Sequence, residues 1–312
     1  MDKKIIKERI NALRATFGKE GIAAFIIPST DAHMSEYVAP HWKAREWISG
    51  FTGSAGTVVV TCNKAGLWTD SRYFLQAARQ LEGTGIELYK EMLPETPCIP
   101  TFLSDTLKPG DTVGIDGQVF SVEEVLQLEK QLHKNGISVK NIYDPMSPIW
   151  PERPERPESP AFIHDLKYAG KTCREKLDSL RLKMKETNAE ALLISSLDEI
   201  AWTLNIRGND VHCNPVVVSY LIVGEHDACF FVEPRKVTKE LADHLTEAGV
   251  SIHNYGEIKQ FLHNIKAQSI LLNPAKTNYA TYSAICPDCR IIEGASPVAL
   301  SKAIRNEREI DG

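Results

Sequence analysis

A proline-rich segment near the middle of the chain constrains its fold more than any other sequence feature. Residues 145–160 read PMSPIWPERPERPESP, with six prolines in sixteen residues. Proline lacks a backbone N–H and has a fixed φ, so this run cannot continue a helix or lie inside a sheet. Such a run is typical of an extended, semi-rigid spacer. It predicts two domains, residues 1–150 and 161–302, joined by a linker at 151–160; a long loop within one domain is the alternative.

The two sides of this linker carry the same pattern. Residues 13–31 (LRATFGKEGIAAFIIPSTD) and 180–198 (LRLKMKETNAEALLISSLD) align without a gap, at an offset of 180 − 13 = 167. Each run passes from a helix, with apolar residues at three- and four-residue spacing, through a turn into a short apolar strand, 24–27 or 191–194. The apolar helix positions are Ile6, Ile10, Leu13 and Phe17 in the first half, and Leu177, Leu180, Leu182 and Met184 in the second.

Further along, each half has a glycine-marked turn before another apolar strand, at 57–61 in the first half and 216–223 in the second. Helices that alternate with apolar strands predict an α/β fold, in which helices pack on a central sheet. Because short turns join some of the strands, we expect mixed rather than purely parallel sheets. The predicted architecture is two tandem, related α/β domains.

Net charge, apolar runs and cysteine content exclude several classes of protein. The formal net charge is −5, which argues against nucleic acid or an anionic membrane as the main partner. No apolar run reaches the ~20 residues of a membrane span, and the N-terminus lacks the apolar stretch of a secretory signal. Seven cysteines are scattered along the chain, and no Asn-x-Ser/Thr site occurs. These features predict a protein of the reducing cytoplasm.

The first half contains two candidate sites. The glycine-rich run at 48–56 (ISGFTGSAG) leads into a strand rather than a helix, so we interpret it as a turn and not as a phosphate-binding loop. A cluster of Trp, Arg and Tyr lies at 68–73 (WTDSRY). There Asp70 or Ser71 is predicted to cap a helix. Arg72 either contacts a ligand or is a solvated charge.

The second half has a similar cluster. Ser196 or Asp198 is predicted to cap a short helix, whose Ile200 and Trp202 belong to the core or to an interface. The following run at 205–215, NIRGNDVHCNP, is polar and too long to serve as a mere connector. Loops of that kind either carry a contact or are surface insertions.

A search for catalytic machinery finds none. The pair Cys286 and Cys289 has zinc-like spacing, but a structural zinc site needs four ligands. The other close thiol and imidazole, His212-Cys213, lie about seventy residues upstream. No His-Glu-x-x-His, no Gly-x-Ser-x-Gly, and no convincing Asp, His and Glu set for a two-metal centre is present. The sequence therefore predicts no catalytic residue and no metal ligand in this chain, with a redox or zinc protein as a weaker alternative.

Several long motifs together resemble a known family. The runs at 68–78 (WTDSRYFLQAA), 149–154 (IWPERP), 197–202 (LDEIAW) and 205–211 (NIRGNDV), followed by Asn214-Pro215, resemble the cytosolic three-domain Xaa-Pro aminopeptidases, also called aminopeptidase P. The resemblance covers essentially the whole chain, and the motifs occur in the family order. It implies two domains of the creatinase N-terminal type, followed in the family by a "pita-bread" catalytic domain.

The resemblance also implies an activity for the parent protein. Family members use two divalent metal ions, typically manganese, to remove the N-terminal residue from short peptides with proline second, and full-length members are expected to be homodimers. This chain would be the non-catalytic front part, shaping the substrate cleft and supporting assembly. We expect it to be truncated, with residues 303–312 as the start of the first helix of the catalytic domain.

Two further expectations concern sites. The resemblance implies that Arg72 reaches toward the substrate, although Ser71 stands where the family often has glycine. It carries no role onto His212 and Cys213, because the family often has Glu-His before Asn-Pro. The alternative function is a non-enzymatic peptide- or protein-binding module, since pita-bread relatives exist that bind proteins without cleaving them.

Overall fold

Each half of the chain forms a mixed sheet flanked by helices, as the sequence predicts, and each of these sheets has six strands. The structure is a computed structural model in which residues 2–311 are described. The chain divides into two compact units. Unit 1 comprises the residues up to Ala32 together with Pro40–Glu155, and unit 2 comprises His33–Ala39 together with the residues from Arg156 onward.

Unit 1 contains five helices and a sheet in the order β4-β3-β2-β1-β5-β6 among its described residues. Strand β1 is antiparallel to β2 and parallel to β5. The helices are α1 (Lys3–Glu20), α2 (Ala44–Ser49), α3 (Phe74–Leu81), α4 (Ile99–Thr106) and α5 (Val122–His133). The strands are β1 (Ala24–Ile27), β2 (Thr57–Thr61), β3 (Ala65–Thr69), β4 (Glu87–Lys90), β5 (Thr112–Ile115) and β6 (Ser138–Asn141).

Unit 2 repeats this order, as β12-β11-β10-β8-β13-β14, with a separate β7-β9 pair. Its strands are β7 (Phe162–Ile163), β8 (Ala191–Ile194), β9 (Ile206–Arg207), β10 (Ser219–Gly224), β11 (Ala228–Val232), β12 (Val250–Asn254), β13 (Ser269–Leu272) and β14 (Arg290–Glu293). Its helices are α6 (Leu166–Ala169), α7 (Cys173–Glu186), α8 (Leu197–Leu204), α9 (Lys239–Glu247), α10 (Ile258–His263), α11 (Tyr279–Tyr282), α12 (Pro297–Ala303) and α13 (Glu307–Asp311).

The repeat found in the sequence corresponds to a repeated fold. Strands β1 and β8 occupy the same place in their sheets, and their bounds differ by the predicted 167 residues. In both units this central strand is antiparallel to one neighbour and parallel to the other. A single sheet therefore contains both hairpin and crossover connections, which confirms the prediction of mixed sheets.

Helices α1 and α7 begin where the sequence supplies capping groups. The Asp2 carboxylate accepts the Lys4 N–H, and Thr172 and Glu175 form a reciprocal capping box at the start of α7. All four predicted apolar positions of α1 are buried in the unit 1 core. In α7 the other apolar positions are buried, whereas the Leu182 side chain is 65% exposed and Cys173 lies in the core.

Two further predicted elements need correction. The strand expected at 216–223 begins at Ser219, because the Val216 N–H bonds to Asn214 and the Val218 N–H to Asp210 rather than to a neighbouring strand. The segment after residue 302 is not one helix, since α12 ends at Ala303 and α13 begins at Glu307. Between residues 2 and 311 no helix is both long and apolar enough to span a membrane.

Candidate functional site

Arg72 lies just beyond the carboxyl end of β3, where a short 3₁₀ turn leads into α3. Asp70 caps this turn by accepting the Arg72 N–H at 3.0 Å. The predicted cap is therefore found on the turn that precedes α3, whereas Tyr73, the N-cap residue of α3 itself, makes no side-chain capping bond. The same carboxylate binds the guanidinium in a fork, with Nε–Oδ1 at 2.9 Å and Nη2–Oδ2 at 2.7 Å. The hydrogen bond from Arg72 lowers the pKa of Asp70, so the pair stays ionised at neutral pH.

The surroundings of Arg72 are polar and open. Its side chain is 67% exposed, and its guanidinium lies 5.2 Å from the centre of the Tyr73 ring. The Tyr73 hydroxyl pairs with Ser54 Oγ at 2.6 Å, and this hydrogen bond lowers the pKa of the phenol. A forked arginine with an aromatic neighbour is a suitable partner for a carboxylate or a backbone carbonyl of a peptide.

The loop that carries Ser54 is fixed by hydrogen bonds from Arg45, a residue that the sequence motifs do not single out. Arg45 is 5% exposed and donates to the carbonyls of Phe51 and Gly53 and to Ser29 Oγ. Burial lowers the pKa of Arg45 to about 10, which still leaves it charged. A Cβ on Gly53 would lie 2.3 Å from the Phe51 ring, so this glycine is needed for close packing. The run 48–56 therefore leads into β2 through a closely packed loop at residues 50–56, as predicted, although its first two residues belong to α2.

In unit 2 the loop at 205–215 is fixed by a buried ion pair. Lys236 Nζ lies 2.5 Å from Asp210 Oδ2, and both side chains are 1% exposed. The same carboxylate oxygen accepts the Val218 N–H at 2.6 Å, which joins the loop to the residues before β10. Burial raises the pKa of Asp210 and lowers that of Lys236, each against the attraction of its partner. The first part of this loop therefore has a structural role.

A second buried lysine stabilises the end of α8. Asn205 ends that helix in the left-handed conformation, with φ 54°. Lys176 Nζ donates to Asn205 Oδ1 at 2.7 Å and to the Trp202 carbonyl at 2.8 Å, and it lies 4.1 Å from the centre of the Trp202 ring. Burial lowers the pKa of Lys176 to about 8. Ser196 occupies the N-cap position of α8, but its side chain makes no capping hydrogen bond there, and neither predicted capping contact is seen.

The sequence motifs of unit 2 converge on one cavity of about 390 Å³, which we call the unit 2 pocket. Trp202, Arg207 and the Asn214-Pro215 pair all line it. So do residues of α12 and α13, and the Trp202 Nε1–H donates to Glu309 at 2.8 Å. His212 and Cys213 do not line it and are exposed. The neighbouring motifs at 197–215 therefore meet residues of α12 and α13, which lie far from them in the sequence.

The Cys289 thiol shows no sign of activation. Cys289 donates its N–H to the Cys286 carbonyl across a tight turn, and burial raises the pKa of the Cys289 thiol. A reactive thiolate requires the opposite shift. Throughout residues 2–311, no group of three or more His, Cys, Asp or Glu side chains is arranged to hold a metal ion.

Comparison with family models gives two adjacent matches. Models of the creatinase/prolidase N-terminal domain match residues 9–146 and residues 152–309. The second match alone covers half of the chain. The sequence repeat, the repeated sheet order and the paired matches therefore agree.

Related proteins resemble the chain along nearly its whole length. Aminopeptidase P2 of Arabidopsis thaliana is 38% identical, over 99% of this chain and 48% of that protein. Xaa-Pro aminopeptidase 1 of Dictyostelium discoideum is 36% identical, over 100% of this chain and 51% of that protein. The chain thus spans about half the length of these relatives.

A solved structure resembles the fold closely. The X-prolyl aminopeptidase of Caenorhabditis elegans, described as a cytosolic enzyme with a di-nuclear active site, superposes with a TM-score of 0.92 at 32% identity. The match covers 98% of this chain and 52% of that one.

Proposed function

Because the chain belongs to the creatinase/prolidase N-terminal domain family and carries two such domains in tandem, we propose that it is the non-catalytic N-terminal part of a Xaa-Pro aminopeptidase. The parent enzyme would remove the N-terminal residue from short peptides with proline second. The observation that carries the proposal is the similarity to Xaa-Pro aminopeptidases over nearly the whole chain, at about half of their length. We further propose a cytoplasmic location and a homodimeric parent.

The di-nuclear active site described for the nematode enzyme has no counterpart among the described residues, which offer no cluster of metal ligands. The side chains present therefore do not suit a two-metal centre. We assign the metal pair, with manganese as the expected ion, to the part of the parent that follows these two units. The role of this chain is to bind and orient the peptide and to limit its size.

Arg72 is our candidate for peptide contact. Its guanidinium is exposed and oriented by Asp70, and the Tyr73 hydroxyl is oriented by Ser54. A substrate carbonyl or carboxylate would approach an arginine whose geometry is already set, which reduces the entropy lost on binding.

The role of the two units is tested by removing unit 1 from the parent protein and assaying Xaa-Pro peptides of increasing length. We expect kcat/KM to rise for long peptides relative to short ones, because a wall of the cleft is lost. Unchanged selectivity, in a variant whose unit 2 still folds, would refute the cleft-shaping role.

The role of Arg72 is tested separately in the parent by Arg72→Ala. A lost charge-assisted contact is expected to lower kcat/KM by roughly tenfold to a hundredfold. Arg79→Ala, an exposed arginine on α3, is the matched control and should leave kinetics unchanged. Equal kcat/KM values for both variants would show that Arg72 does not contact the peptide.

A further inference from the structure

The unit 2 pocket contains an excess of positive charge. Five cationic side chains line it, against the two carboxylates of Asp198 and Glu309. With histidine neutral, the lining carries a net charge of 5 − 2 = +3. The cationic residues are Lys176, Arg207, Lys302, Arg305 and Arg308.

Both carboxylates of the pocket already have partners. Asp198 forms an ion pair with Lys302. Glu309 accepts the Trp202 Nε1–H at 2.8 Å and the Asn306 N–H at 2.9 Å. Burial opposes ionisation of Glu309, but these hydrogen bonds outweigh it and lower the pKa of the carboxyl group. The acidic side chains are therefore ionised and engaged.

The arginines, in contrast, retain donor capacity. Arg207 uses Nη1 for the carbonyls of Ala201 and Ile206, which leaves its Nε and Nη2 groups without a partner among the described residues. Neither Arg305 nor Arg308 forms an ion pair with any residue in the described range 2–311. Three guanidinium groups thus line one cavity with hydrogen-bond donors to spare.

The titration of neighbouring groups is consistent with a positive field in this cavity. Burial, and then the charges of Arg207 and Lys176, lower the pKa of His164, which also lines the pocket. After burial, the charge of Arg207 likewise lowers the pKa of Lys176. A bound anion would reduce the repulsion between cations that face one another across a cavity.

We propose that the unit 2 pocket binds a small phosphorylated molecule, with its phosphate held by Arg207, Arg305 and Arg308. A phosphate group carries close to two negative charges at neutral pH and has three acceptor oxygens, which match the planar fork of guanidinium groups. The volume of about 390 Å³ lies at the lower end of small-molecule sites and leaves room for an organic part beside the phosphate. The exposed Tyr168 ring at the rim offers an apolar surface for that part. This inference does not depend on the peptidase assignment.

The test is calorimetric titration of the 312-residue chain with pyrophosphate, inorganic phosphate and citrate at low ionic strength. We expect one pyrophosphate per chain with a dissociation constant below about 1 mM. Inorganic phosphate should bind more weakly because it carries less charge. Citrate has three carboxylates and so separates phosphate recognition from attraction of charge alone; citrate binding as tight as that of pyrophosphate would overturn the proposal.

The site is located with the double variant Arg305→Gln/Arg308→Gln. Both side chains are exposed, so the fold should be retained, and pyrophosphate affinity should fall by about tenfold or more. The control variant Arg79→Gln/Lys185→Gln removes two exposed positive charges elsewhere and should bind as the unaltered chain does. Equal weakening by the two double variants, or no binding by the unaltered chain, would overturn the proposal.

Discussion

The two units share a strand order but place their charged side chains differently. Unit 1 holds the Arg72–Asp70 pair at the surface, with the arginine 67% exposed, whereas unit 2 buries the Lys236–Asp210 pair at 1% exposure. An exposed pair contributes little to stability and remains available to a ligand. A buried pair costs desolvation, and removal of one partner leaves an isolated charge in the core. The same fold therefore keeps one charged pair at the surface and buries the other.

The largest expected effect comes from breaking the buried pair. Lys236→Met should lower the free energy of unfolding of unit 2 by about 3–5 kcal/mol, because Asp210 is left buried without its cation. Urea denaturation followed by hydrogen exchange on peptides of each unit measures this effect. The double variant Lys236→Met/Asp210→Leu should recover part of the loss. A cost for the single variant below about 1 kcal/mol would contradict the structural role.

Arg45 is the buried cation of unit 1, and it is bound to carbonyls instead of a carboxylate. Arg45→Met should lower the free energy of unfolding of unit 1 by about 2–3 kcal/mol, since the Phe51 and Gly53 carbonyls lose their donor. The control is Arg79→Met on the surface of the same unit, which should change stability by less than about 0.5 kcal/mol. Equal changes in the free energy of unfolding for the two variants would show that Arg45 does not stabilise unit 1.

The duplication of the fold is predictable from the sequence, whereas the roles of the buried cations are not. The strands β1 and β8 were predicted because short, buried strands are continuous apolar runs, and their repetition at a fixed offset revealed the duplication. The roles of Arg45 and of Lys236 were not predicted. Arg45 binds carbonyls of its own loop, and Lys236 meets Asp210 across 26 residues, so neither pairing leaves a periodic signal.

The sequence also misleads where hydrogen bonding or packing, rather than residue type, decides the local structure. The apolar run that begins at Val216 predicts a strand there, but the Val216 N–H bonds within a loop. Leu182 is grouped with the other apolar positions of α7 because of its residue type, but the exposure of its side chain depends on what the helix packs against. The motifs of the sequence single out Arg72 and Trp202; peptide contact by Arg72 stays a prediction, and Trp202 is expected only in the core or at an interface. The cavity that joins Trp202 to Arg207 and α13 required the fold.

A buried acid of unit 1 gives a pH-dependent prediction. Burial raises the pKa of Asp116 to about 6, above its unfolded value near 3.8. The folded state therefore binds the proton more tightly, and the stability contributed by protonated Asp116 is lost as pH rises from about 4 to about 6. Asp116→Asn should remove this slope and make unit 1 more stable at pH 7, by up to about 2 kcal/mol. Urea midpoints across this pH range measure it, and an unchanged slope would exclude Asp116 as the source.

The smallest effect is expected at the exposed pair. Asp70→Asn keeps a capping side chain but removes the anion that holds Arg72, and it should change stability by less than about 1 kcal/mol. In the parent enzyme the same variant should raise KM more than it lowers kcat, because Arg72 is no longer oriented. A large loss of stability would mean that this pair, like the one in unit 2, is structural.

The central claim, that these two units contain no catalytic centre, is tested most directly by assaying the 312-residue chain itself on a short Xaa-Pro-Xaa peptide with added Mn²⁺. The account predicts no release of the N-terminal residue above the blank, with or without chelator. Turnover that a chelator abolishes would contradict it, because a metal centre would then have to form within these residues.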